Sequence, residues 1–170
     1  GFFLNAHDAT IGAYFLWQFD ASVADGAWWP VWAADMVYGY GHPLFLIIAP
    51  LPYYLAEAFL LLGRALAGGN PVAWAIKAVY AISTLGSGLT MYAYARRWLG
   101  RQGGLVAAVA YVYIPFHLVD LYVRADLAEY VALAIFPAVL WAADRAMDAG
   151  DGAGRARGAA LLALWYAALI

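Results

Sequence analysis

The sequence predicts an all-α fold: a polytopic integral-membrane helical bundle whose first external loop is rich in surface helices. Three observations predict it. Hydrophobic residues make up 66% of the 170 positions and charged residues only 12%, about half the charge of an ordinary soluble domain. The apolar residues fall into runs of spanning length, roughly 20 residues each, and mean hydropathy is +0.72. The charges are also segregated. The first 63 residues hold no lysine or arginine but five acids, Asp8, Asp20, Asp25, Asp35 and Glu57, and every basic residue lies from Arg64 onward. Basic residues are retained on the cytoplasmic side of a membrane, while acids contribute little to orientation. The first third is therefore expected on the non-cytoplasmic side.

The whole chain, 1–170, reads as one membrane domain. Gly1-Phe2-Phe3-Leu4 resembles the tail of an apolar segment, and 159–170 the start of a further transmembrane helix. These ends predict the N-terminal part of a larger polytopic protein. The chain has no cysteine, which excludes disulfides and thiolate metal sites.

Residues 1–71 form the predicted external loop. In 9–24, Ile11, Tyr14, Phe15, Phe19 and Val23 recur at helical spacing. Asp8 stands at the N-cap position and Gly26 at the stop. Gln18, Asp20 and Ser22 make this helix too polar to span, so it is expected along the surface. The following run, AWWPVWAADMVYGYGHP, joins interface-seeking aromatics to the Gly and Pro positions of an ordered loop. Residues 44–63 are long enough to cross a bilayer, but Pro50 and Pro52 interrupt them and Glu57 falls among them.

Transmembrane helices are predicted at 72–95, 104–120 and 127–143. The break after the first carries Arg96, Arg97 and Arg101, and that after the third carries Arg145, Arg155 and Arg157. The middle break carries Asp120, Asp126 and Glu129 with only Arg124. The basic breaks are then cytoplasmic and the acidic one external. Residues 72–95 must begin outside, so 44–63 are expected as an interfacial or re-entrant helix. The small and hydroxyl residues from Ser83 to Thr90 suit close helix packing, and 149–158 reads as a solvated connector.

Two clusters could carry chemistry. Asp8, beside His7, could accept a proton from a hydroxyl or hold a divalent cation at the bilayer edge. The commoner role for an aspartate at this position is to cap the helix, and the two roles are compatible. Arg124, Asp126 and Glu129 form the second cluster. On a helix, Asp126 and Glu129 share a face; the acids could coordinate an ion while the guanidinium forks onto a phosphate. The alternative is a helix start with acids at its positive end. Trp32, Asp35 and His42 are weaker candidates: a stacking ring, a hydroxyl ligand and a turn histidine. No basic patch supports nucleic-acid binding.

Taken in order, these residues resemble the first external loop of GT-C type polytopic membrane glycosyltransferases. They are most similar to the bacterial group described as 6-pyruvoyl-tetrahydropterin synthase-related membrane proteins. The likeness rests on Asp8 after the first span; on Trp32, Asp35, Gly39, Gly41 and Pro43 in a W-x-x-D-x-x-x-G-x-G-x-P run; on Pro50-Leu51-Pro52-Tyr53-Tyr54-Leu55; and on Arg124 and Glu129 in R-x-x-x-x-E before a span containing Pro137. Gly12 stands where many relatives carry a histidine. The resemblance implies transfer of a sugar from a polyprenyl-phosphate donor on the non-cytoplasmic face of a bacterial plasma membrane, often with Mg or Mn. It implies Asp8 and Glu129 as catalytic acids, Asp8, Asp126 and Glu129 as metal ligands, and Arg124, Asp35, His7, His42 and Trp32 as substrate contacts. The partners implied are the lipid bilayer and the lipid-linked donor. Two other functions fit such a chain. A transporter or flippase for lipid-linked precursors would need ionisable residues deep in the spans. A non-catalytic structural subunit would keep the fold without the chemistry.

Overall fold

The computed structural model describes residues 6–150 and 152–168. Helices α1 (Ala9–Ala24), α2 (Leu51–Ala67), α3 (Val72–Val112), α4 (Pro115–Val119), α5 (Leu127–Asp148) and α6 (Gly152–Ala167) account for most of these, with no strand among them. Cα proximity divides the chain into two units. One is Gly1–Ala81 with Leu121–Ala128, the other Ile82–Asp120 with Glu129–Ile170.

In the first unit α1 occupies the predicted span and ends as expected, with Gly26 at φ 92°. Its polar residues differ in exposure: Thr10 is exposed, and Asp20 and Ser22 are half-buried. Gln18 is buried; its Nε2 donates to Asp35 Oδ2 at 3.1 Å, and its Oε1 accepts from the Asp35 backbone N–H at 3.1 Å. The Tyr14 hydroxyl donates to the Asp35 carbonyl at 3.2 Å, and the Tyr54 hydroxyl to that of Trp28 at 2.6 Å. The polar stripe of α1 thus satisfies the aromatic loop's backbone, which would otherwise be costly to hold against a helix.

That loop closes on itself through Ala33 and His42, whose backbone groups exchange hydrogen bonds of 2.8 and 3.0 Å. The Trp32 indole lies against Gly41, where φ is +80° and an added Cβ would fall 2.1 Å from Nε1. Val37 and Tyr38 also take positive φ, 53° and 58°, an uncommon conformation away from glycine and a strained one for the β-branched Val37.

Within 44–63 the helix begins only at Leu51, after a 3-10 turn at Leu44–Leu46, and runs on to Ala67. Pro50 and Pro52 set this start, because proline suits the first turn of a helix and not its interior. Phe19 packs edge-on against Phe45 and Tyr54, with ring centroids 5.2 and 4.8 Å away. Leu16, Ala56 and Leu60 are buried with it. Arg64 on α2 forks onto Asp20 on α1 at 2.6 and 2.7 Å.

In the second unit α3 breaks where the basic run predicts it: Gly100 has φ 69° and ψ −174°. A Cβ on Gly104 would sit 2.9 Å from Arg96 Cβ, so the chain reverses tightly there. The Thr84 hydroxyl lies 2.9 Å from that of Tyr130, Thr90 Oγ1 lies 2.9 Å from the Ala134 carbonyl, and Arg97 Nε lies 2.8 Å from Asp144. These pairings advance together, so the arm before Gly100 and α5 run parallel. The Tyr111 hydroxyl reaches the Leu133 carbonyl at 2.9 Å and His117 belongs beside Tyr130, so the returning arm is antiparallel to both. The small residues of α3 serve close packing: a Cβ on Gly86 would meet Ala134 Cβ at 3.3 Å.

Two boundaries differ from expectation. The second predicted span stops at Val112, because Pro115 holds Ile114 in extended geometry (φ −58°, ψ 140°) and restarts the helix as α4. The connector 149–158 is largely helical, since α6 starts at Gly152. Gly158 fits against α5 so closely that a Cβ would lie 2.5 Å from Ala146 Cα.

Among the described residues, two helical stretches are long and apolar enough to cross a membrane, Val72–Arg124 and Leu127–Asp148. Leu85, Leu89, Val106 and Val109 are all more than half exposed, an apolar surface suited to lipid and unlike the polar face of a soluble helix.

Candidate functional site

Asp8 and Asp126 line one cavity of about 210 Å³ in the first unit, together with Gly12, Phe15, Ile48 and Tyr53. Two separate segments are joined to make it. The backbone N–H groups of His7 and Asp8 donate to the carbonyls of Val123 and Arg124, at 3.0 and 2.8 Å. Asp120–Arg124 winds as a π turn, and Ala125 then takes φ 56°, a conformation that alanine adopts only under constraint. This reversal sets Asp126 at the head of α5.

Asp8 precedes α1, yet its carboxylate makes no capping hydrogen bond; only its carbonyl accepts, from Gly12 N–H at 2.8 Å. Of the two roles open to Asp8 in the sequence, the cap is not the one its side chain adopts. Asp126 does cap, its Oδ1 accepting from the Ala128 N–H at 2.9 Å. It therefore lies before α5, and Glu129 lies in the helix's first turn. Glu129 is half-buried and belongs to the second unit.

Tyr53 was not singled out from the sequence as a site residue. It is buried against Phe15 and Phe45. Burial, followed by the nearby Asp126 charge, pushes its phenol well above the ordinary tyrosine range. The hydroxyl thus stays protonated. Its only signal in the sequence is its place in the Pro-Leu-Pro-Tyr-Tyr-Leu run.

The remaining candidates do not line this cavity. His7 is exposed and Arg124 half-buried. Trp32 packs on Gly41, His42 closes the loop beside Ala33, and the Asp35 carboxylate is held by Gln18. Trp28, Tyr38 and Tyr40 stand almost fully exposed on that loop.

A second acidic group lies deeper in the same unit. Glu57 is buried beside the Asp20–Arg64 pair, and its Oε2 has no hydrogen-bond partner. Burial first, then the Asp20 charge, raises its carboxyl to about 7 against the opposing effect of Arg64.

Among the described residues no group of three or more His, Cys, Asp or Glu is placed to hold a metal ion. Asp8 and Asp126 supply two carboxylates, which suits Mg, a cation usually held by one or two carboxylates with phosphate and water completing the shell. Comparison with protein-family models, curated proteins and solved structures finds no match to this chain.

Proposed function

We propose that this chain carries the acidic site of an integral-membrane glycosyltransferase of the GT-C type, acting on the non-cytoplasmic face of a bacterial plasma membrane. The observation that carries the reading is the presence of Asp8 and Asp126, more than a hundred residues apart in sequence, on one cavity. In the proposed topology 72–99, the returning arm from 101 continued by α4, and α5 cross the bilayer in alternation. The antiparallel middle arm supports this, because it gathers Arg97, Arg101 and Arg145 at one end. Residues 1–71 remain outside, with α2 packed on α1 through Arg64 and Asp20 instead of crossing.

Asp8 acts as general base. It takes the proton of an acceptor hydroxyl as that oxygen bonds to the anomeric carbon. The bond from that carbon to the polyprenyl phosphate breaks on the opposite face, and the phosphate leaves with the electron pair. Arg124 binds the donor phosphate. Protonated Tyr53 donates a hydrogen bond to an oxygen in the cavity. A divalent cation, held by Asp8 and Asp126, would supply charge neutralisation at the phosphate. The exposed rings of Trp28, Tyr38 and Tyr40 offer a surface for interfacial lipid and sugar.

The test is Asp8→Asn in the full-length protein, assayed for sugar transfer from polyprenyl-phosphate donors. A general base contributes about 10²–10⁴-fold in rate, so transfer should fall by that factor while the melting temperature is unchanged. Full activity in the variant removes Asp8 as base. A wild-type protein inactive with every such donor favours the structural-subunit reading.

A further inference from the structure

The second unit holds a cavity of about 510 Å³ at the end of the bundle opposite Thr84 and Tyr130, lined by Arg97, Trp141, Arg145, Asp148, Arg157 and Gly158. Such a volume lies within the range of small-ligand sites. Its charges are unbalanced. Arg97 is neutralised by Asp144 and Asp148 on α5. Arg145 and Arg157 make no ion pair among the described residues. Arg145 lies 5.4 Å from the centroid of the Trp141 ring, a contact that positions the guanidinium without cancelling its charge. The first turn of α6 also borders the cavity through Gly154 and contains no acid, so its positive end adds to the field. Close packing of Gly158 on Ala146 fixes α6, and with it Arg157, against α5.

Two guanidiniums without an ion pair among the described residues, facing one cavity at the end of apolar helices, are a receptor for a phosphate anion, which arginine grips through paired N–H groups. We propose that this cavity binds a phosphate group, and that its source is the headgroup of an anionic phospholipid. Basic pockets between transmembrane helices are suited to such headgroups, Trp141 is of a type that settles at headgroup depth, and α3 and α5 expose apolar surface to acyl chains. The site is separate from the Asp8 cavity and does not depend on glycosyl transfer.

The experiment is calorimetric titration of the full chain, purified in neutral detergent, with dihexanoylphosphatidylglycerol, dihexanoylphosphatidylcholine and inorganic phosphate. Phosphatidylglycerol should bind saturably and more tightly than the other two. Arg145→Gln/Arg157→Gln should weaken it at least about 10-fold, because charge-assisted hydrogen bonds are lost. Arg145→Lys/Arg157→Lys, which keeps both charges but loses the paired N–H fork, should bind more tightly than the Gln pair and more weakly than the unmodified chain. Since Arg157 is exposed, Arg157→Gln alone should leave the unliganded melting temperature unchanged and still weaken binding, which controls for misfolding of the double variant. Inorganic phosphate binding as tightly as phosphatidylglycerol, and equally sensitive to the arginines, keeps the phosphate site but overturns the lipid source. Absence of saturable binding, equal binding of phosphatidylcholine, or unchanged binding in the Gln variants overturns the site altogether.

Discussion

The backbone N–H of Asp8 donates to the carbonyl oxygen of Arg124 at 2.8 Å, tying the entrance of α1 to the turn that precedes α5. Main-chain bonds locate the two segments, so the carboxylates of Asp8 and Asp126 need not hold the site together themselves. Two acids near one cavity repel each other and are costly to desolvate. A backbone frame tolerates that cost and leaves Asp8 available for a ligand, as a catalytic group requires.

Gly12 separates a structural from a chemical role for this cavity. It lies inside α1, and a Cβ there meets nothing within 4 Å. Gly12→Ala should therefore stabilise the protein by about 0.5–1 kcal/mol through helix propensity. Gly12→Phe should fold as well, but fill the cavity and abolish sugar transfer. Melting curves and transfer rates on the three proteins check this; unchanged transfer by the Phe variant would place the reaction elsewhere.

Glu57 predicts a pH-dependent stability. Its carboxyl titrates at about 7 in the folded protein against 4.5 ordinarily, so between these values the folded state binds a proton that the unfolded state has lost. Stability from this group is complete below pH 4.5 and declines as pH rises through 7. Glu57→Gln should remove that decline. Melting temperatures of both proteins from pH 4 to 8 provide the measurement, and parallel curves would count against it.

Gly41→Ala should be among the more damaging changes in the aromatic loop. It places a Cβ at positive φ and drives it into the Trp32 ring. A loss of roughly 1–3 kcal/mol is expected, with a change in tryptophan fluorescence. Gly39→Ala, at φ +87° but facing open space, should cost less and leave the fluorescence unaltered.

Orientation can be read directly because the chain has no cysteine. Single cysteines at Asp25 and Asn70, both exposed, should label with an impermeant thiol reagent in intact cells. Labelling at 25 with protection at 70 would mean that α2 crosses the bilayer.

Much of this architecture is legible in the sequence because it depends on local chemistry. The period of α1, the proline start of α2 and the break among Arg96, Arg97 and Arg101 follow from spacing, from proline's missing N–H and from charge. The sequence also marks Asp8 and Asp126 as candidates. Other features depend on partners distant in the chain. Gln18 looks like a surface residue until the Asp35 backbone is placed against it. Residues 149–158 read as a connector because glycine and arginine favour exposure, yet Gly158 is what permits α6 to lie on Ala146. Local signals determined where the helices begin and end. Tertiary structure decided which polar groups are buried and which acidic residues line one cavity, because hydrogen-bond partners and desolvation are properties of residues brought together in space.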